Sequence, residues 1–281
     1  MSKRFLFACL ILLLSPSLAL YAQEERGWTF SGSFRGSKSS AGSILKLDPT
    51  LGYAFTPHIQ TYVGLPAYLV NQPTTTTTTG GSVSGIGNAY AGLRVGMDTD
   101  EVNFVSNLVV TAPTGDKDKG FSTGRATADW TNSFSHRFSS ITPFADIGVA
   151  NTVSDTSFFV RPFSSLGLVG HVDGGIVMNV APVVDIGVSA YSVRASGQQR
   201  IFSKVLHQSS SGPNQASSGK GKGVFETSGE TVGTASIAND GGFSSWLSIK
   251  PRSRVGFDVG YTRSATYELN TLFFGTSVRF K

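Results

Sequence analysis

The sequence predicts an all-β protein: an antiparallel, up-and-down transmembrane β-barrel of about twelve strands, with both chain ends on the periplasmic side. Three observations carry this. Apolar and polar residues alternate with period two over strand-length stretches. Short connections alternate with long polar ones. The chain looks exported, is low in charge and rich in glycine and aromatics, and has no second apolar stretch long enough for a membrane-crossing helix.

The 281 residues include 33 Gly and 20 Phe, and only 15% are charged, which is sparse for a water-facing surface. Lys3 and Arg4 precede an apolar run from Phe5 to Leu14, and the small residues of "SLALYA" follow. These features predict a cleaved signal peptide over residues 1–22 and a barrel over 23–281. Cys9 is the only cysteine and lies in the signal, so the mature chain has no disulfide and no thiolate site. Loss of Lys3 and Arg4 lowers the formal net charge from +5 to +3, and no basic cluster points to nucleic acid.

Alternation is clearest in "RVGFDVGYT", where Val255, Phe257, Val259 and Tyr261 oppose Gly256, Asp258, Gly260 and Thr262. "ILKLDPTLGYAF" sets Leu45, Leu47, Leu51, Tyr53 and Phe55 against Lys46, Asp48, Thr50 and Gly52. Strand starts are expected near Trp28, Ile44, His58, Ile86, Val102, Thr123, Thr142, Ser165, Val183, Phe243, Arg254 and Tyr267. One set of connections is short: "TPH" at Thr56, "DTD" at Asp98, "SS" at Ser139, "AP" at Ala181 and "KPRS" at Lys250. Most of the other set is long and polar, including the stretches from Asn71, Pro113 and Val153 and a loop over 196–234.

"ADIGVA", "VDIGVS" and "FDVGYT" repeat one pattern, an Asp two residues before a Gly in an apolar run. Alternation turns Asp146, Asp185 and Asp258 inward, with Gly148, Gly187 and Gly260 on the same face. Arg137, Lys250 and Arg279 are expected to face inward near the same end, so the six residues predict a charge-paired ring in the lumen. Tyr62, Tyr68, Tyr90, Tyr191, Trp246 and Phe273 are also predicted inward, either lining a path for an apolar or aromatic solute or filling space. The chain closes on an aromatic, Phe280, with Lys281 after it.

The stretch from Gly85 to Thr152 contains "APTGDKDKGFSTG", with Pro113, Thr114, Gly115 and Asp116, then Gly120, Thr123 and Gly124. It resembles the outer-membrane barrels named for the meta-cleavage pathway of phenol degradation. That resemblance implies a role in uptake of aromatic compounds and a distant similarity to long-chain fatty acid transporters. The family opens this region with Gly-x-Gly-Asp, and here Asn88 stands in place of the Asp. The resemblance covers about a quarter of the chain, and Pro113, Thr114, Gly115 and Asp116 are its loop motif.

Enzymatic chemistry finds no support. His58, His136, His171 and His207 are scattered without metal-ligand spacing. The "SSGKGKG" around Lys220 has Gly221 where a phosphate loop needs Ser or Thr. No cofactor is expected. The reading is an outer-membrane channel for passive uptake of small apolar or aromatic molecules, gated by the loop over 196–234. Its expected partners are outer-membrane lipid, the solute, and the barrel assembly machinery that reads the terminal aromatic. The alternatives are a non-transporting surface protein whose loops bind a partner, and a soluble secreted β-sandwich.

Overall fold

The structure is a computed structural model that describes residues 26–39, 42–72, 81–99, 101–153, 159–205, 225, 228–252 and 254–280. The predicted signal peptide, the Thr74–Thr79 run, and residues 206–224 of the long loop, His207 and Lys220 among them, lie outside the described residues.

The first two strands are β1 (Gly27–Ser39) and β2 (Gly42–Thr56), paired along their length. Next come β3 (Ile59–Gly64) and β4 (Ala67–Gln72). Both pair with β2, β3 against Thr50–Thr56 and β4 against Ser43–Leu47. They are one barrel strand interrupted at Leu65 and Pro66, where proline has no N–H to give the ladder. β5 (Gly81–Ile86) and β6 (Tyr90–Asp98) form the next strand, broken opposite that point at Gly87–Ala89. Then follow β7 (Asn103–Thr111), β8 (Thr127–Ser135) and β9 (Ile141–Ala150). After β10 (Phe163–Leu166) come β11 (Val169–Ala181) and β12 (Val184–Ala195). β13 (Gln198–Ser203) and β14 (Glu230–Thr234) precede β15 (Asp240–Arg252), β16 (Val255–Ser264) and β17 (Leu269–Phe280).

Counting each broken strand once, this is a closed antiparallel barrel of 12 strands. β17 closes it against β1, from Trp28 opposite Phe280 to Lys38 opposite Asn270. Both described ends therefore lie at the end with the short turns. The five short connections fall where the sequence places them. Closure pairs every barrel strand on both sides, so the barrel sheet has no free edge to present to hydrocarbon.

Alternation assigns the faces. Outward residues such as Leu51, Val63, Leu108, Val188, Val259 and Leu272 are exposed and form the lipid belt. Aromatics gather on the outer face at the short-turn end, where Trp28 packs edge-on to Tyr53 and Phe104 lies against Phe134. Farther from that end, level with the belt residues Leu108 and Leu272, Trp130 donates its ring N–H to Ser106 and Phe243 lies near Tyr261. An aromatic girdle beside an apolar band is what a membrane–water interface asks of a barrel.

One expected barrel strand is corrected. The strand expected to start near Ser165 is β10, which pairs with β13, and β13 pairs with β14, in a separate three-stranded sheet. The barrel strand starts later, at Val169. Gly167 separates the two with φ +150°, and a Cβ there would overlap Gln199, so glycine makes the corner possible.

That small sheet is a cap in the mouth at the long-loop end. Its Phe163 and Ile201 are buried in one cluster with Phe159, Val205, Phe225 and Ile237. The cluster also holds Ile44, Tyr68, Val70 and Leu269, which project inward from the barrel wall. The "RIFSKV" stretch from Arg200 thus folds into the mouth, and burial of its apolar residues is what holds it there.

Candidate functional site

The candidate site is the lumen. Its wall is built by a recurring cross-strand pair, an inward glycine opposite an inward ring. Gly148 faces His171, Gly187 faces Trp246 and Gly260 faces Phe273, each in direct register. Gly64 faces Tyr90 and Gly92 faces Tyr62 in the same way. A Cβ on any of these glycines would overlap the ring opposite, so each ring lies over a glycine rather than standing across the lumen. The glycine of each Asp-x-Gly repeat is therefore the seat for the next strand's ring.

The six predicted aromatics are held in different ways. Trp246 and Phe273 are buried together with Val177. Tyr68 is buried and stacks on Phe121 at 5.2 Å. Tyr191 is buried and donates to Asp240 at 3.1 Å. Tyr62 donates to Asn107 and Tyr90 to Asp48, each at 2.9 Å, and both stay half-buried.

The six residues of the predicted charge ring do not lie at one height. Asp185, Ser248 and Asp258 form one transverse row near the short-turn end. In it Lys250 Nζ meets Asp185 at 2.9 Å, Asn179 donates to Asp185 at 3.0 Å, and Ser248 donates to Asp258. Asp146 is in another row, opposite Asp173 on β11 and Ser133 on β8. Asp185 is the second residue of β12 and Asp146 the sixth of β9, which separates them along the barrel. Arg137 sits exposed in the β8–β9 turn and donates to the Ser139 carbonyl at 3.1 Å. Arg279 is half-buried on β17 opposite Thr29.

Three charged groups that pattern reading passed over are prominent. Arg161 and Asp240 form a 3.0 Å ion pair with both side chains at 0% exposure. Asp240 also accepts from Tyr191 and, at 2.6 Å, from Ser264. Arg161 lies over the Phe159 ring at 4.6 Å. The pair ties the segment leading into the cap to β15, β12 and β16. Lys204 extends the tie, donating to the Arg161 and Phe163 carbonyls at 3.0 Å each. Asp240 sits in "NDGG", which reads locally as a turn, so its role is visible only in three dimensions.

The loop motif is a docking device. Gly115 N–H donates to Asn88 Oδ1 at 2.9 Å, and Ala89 N–H donates to Thr114 Oγ1 at 2.8 Å, which fastens the β7–β8 loop to the break between β5 and β6. Asn88 thus supplies an acceptor oxygen where the resembling family has Asp. Asp116 accepts from the N–H groups of Asp118 and Lys119, closing a turn on itself. Pro113 leads into this turn. Gly120, at φ +70°, packs so closely on Ser203 that a side chain would overlap β13.

The two sides of the lumen differ. On β1, β2 and β12–β17 the inward Ser33, Arg35, Lys46, Ser189, Ser244 and Thr271 are buried. On β6–β11 the inward Arg94, Asn107, Asp129, Thr131, Asp146 and His171 remain half-buried, while Val105, Thr127, Thr142 and Val177 of the same strands are buried, and His171 meets Asp129 at 3.0 Å.

Among solved structures, the fold is similar to an outer membrane channel from Pseudomonas putida F1. That likeness covers 94% of this chain and 99% of the channel, with a TM-score of 0.60 and 10% identity. It is also similar to the NanC porin over 90% of this chain and 100% of that one, with a TM-score of 0.50 and 7% identity. At such identities the likeness speaks for the fold. No family model matches the chain, and no curated protein matches its sequence.

Proposed function

We propose that the chain is a passive outer-membrane channel for small molecules, oriented with its short turns and both ends in the periplasm. The observation that carries this is the asymmetry of the lumen. A barrel meant only as a surface scaffold has no reason to keep one wall of hydroxyl, amide and charged groups accessible. In this reading the path follows the β6–β11 side, and the cap narrows its outer entrance. The long loop that includes β13 and β14 is then the gate, together with the segment from Phe159 to Leu166.

The solute class follows from what it would touch. It meets the aromatic rings at the mouth and then a polar wall, so a small aromatic molecule carrying a polar group fits both. The resemblance of the Gly85–Thr152 stretch to the phenol-degradation barrels supports the aromatic part. Phe280 at the end of β17 is the signal we assign to the assembly machinery.

The test is liposome swelling and single-channel conductance of the refolded protein, beside a variant lacking Gln208–Gly223. The reading expects conductance from the intact chain and a larger value after the deletion. Identical permeation would remove the loop from the gate. No conductance from either protein would overturn the channel and favour a non-transporting surface protein.

A further inference from the structure

One patch of the lumen is short of hydrogen-bond partners. Arg35, on the inward face of β1, is 3% exposed, yet its nearest carboxylate is Asp48 at 3.7 Å and its Nε has no partner. Asp48 is already engaged, by Lys46 at 3.1 Å and by the Tyr90 hydroxyl at 2.9 Å. Ser33 and Ser37 flank Arg35 on the same face, and Thr271 stands opposite Ser37. All three hydroxyls are buried and, among the described residues, also lack partners.

Buried polar groups without partners are few in native proteins, and a contiguous set of them points to something the site is built to hold. A water molecule would satisfy the hydroxyls but not the guanidinium charge. An oxyanion satisfies both, and a guanidinium fork matches a carboxylate geometrically. The neighbours refine the class. One transverse row runs Phe273, Arg35, Lys46, Tyr68, so a ring flanks the cations on each side.

We propose that Arg35, with Ser33, Ser37 and Thr271, docks the carboxylate of a small aromatic acid inside the barrel, beneath the cap. This deepens the channel reading and rests on it for how the acid arrives: the four side chains lie on the buried wall, so the acid reaches them from the β6–β11 path only by displacing the side chains that cover them. Lys46 adds positive charge beside the site. The apolar body of the acid lies towards Phe273 or Tyr68.

The experiment uses the whole refolded barrel in detergent, with benzoate as the probe and neutral benzyl alcohol as the control. Calorimetry should show benzoate binding, and benzoate should raise the melting temperature through its preference for the folded state. Benzyl alcohol should do neither to the same degree. Arg35→Gln should weaken benzoate binding roughly tenfold or more, the scale of a lost charge-assisted hydrogen bond. If that variant does not fold, Ser37→Ala combined with Thr271→Val keeps every charge and should still weaken binding severalfold. A wild-type barrel that conducts but does not bind benzoate overturns the site and leaves the channel. Binding without conductance keeps the site and overturns the channel. Equal affinity in wild type and Arg35→Gln assigns the arginine to packing alone.

Discussion

The two walls of the lumen use the same Asp-x-Gly repeat to different ends. On the β12–β17 side, Gly187 and Gly260 receive Trp246 and Phe273, which are then sealed beneath other side chains. On the β9–β11 side, Gly148 receives His171, which stays half-buried beside Asp129. One sequence pattern therefore yields a packed wall or an open one, according to which ring arrives from the next strand and whether the cap lies over it.

The sharpest way to break this contrast is to release the cap. Asp240→Leu strands Arg161 without its carboxylate in a fully buried position and should cost about 3–5 kcal/mol, read as lost heat-modified gel mobility or a lower melting temperature in detergent. Adding Arg161→Met should recover much of that loss, because neither charge is then buried alone. Next comes glycine replacement. Gly187→Leu must push Trp246 out of a packed wall and should cost about 1–3 kcal/mol. Gly92→Leu, on the open wall, displaces only the half-buried Tyr62 ring and should cost clearly less. Equal melting of these two variants would erase the distinction between the walls.

A smaller effect is expected where like charges face each other. Asp146 and Asp173 are direct cross-strand neighbours, so Asp146→Asn should be neutral or stabilising by up to about 1 kcal/mol. The same variant should shift the reversal potential of a salt gradient towards anion permeation. Asp185→Asn leaves Lys250 with a weaker partner and should destabilise slightly.

The smallest effect concerns the loop motif. Slight burial pushes the Asp116 carboxyl up, but the N–H groups and the ammonium of Lys119 and the N–H of Asp118 outweigh it and hold it below its ordinary value. A lowered carboxyl contributes stability above its unfolded range and loses it as pH falls through the lowered value. Hydrogen exchange at Phe121, whose N–H donates to the Asp116 carbonyl at 2.9 Å, should therefore speed up only in acid below the usual carboxylate range. Asp116→Ala should abolish that pH dependence.

Period-two alternation made the barrel legible, because lipid outside and polar lumen inside write themselves onto successive residues. The five short turns were equally plain, since Pro, Asp and Ser mark them locally. The cap was harder. "RPFSS" reads as the start of a strand, and it is one, but Gly167 turns it away from the barrel. Arg161 and Asp240 carry no local pattern, since their meaning comes from contact across 79 positions of chain. Arg35 was hidden for a related reason. Its neighbours on β1 are small and polar, which reads as an ordinary lumen face, and only the register with Lys46 and Phe273 shows what is missing around it.

The pairing of Trp28 with Phe280 has a consequence for how the molecule comes into being. The seam joins the first strand to the last, so it is the contact with the greatest separation along the chain and the greatest closure entropy. Nothing shorter can substitute for it. A nascent chain lacking β17 would present the free ladders of β1 and β16 to hydrocarbon, which has no groups to bond them. The ring of strands therefore cannot close until β17 has reached β1, which makes this seam the last part of the wall to be completed.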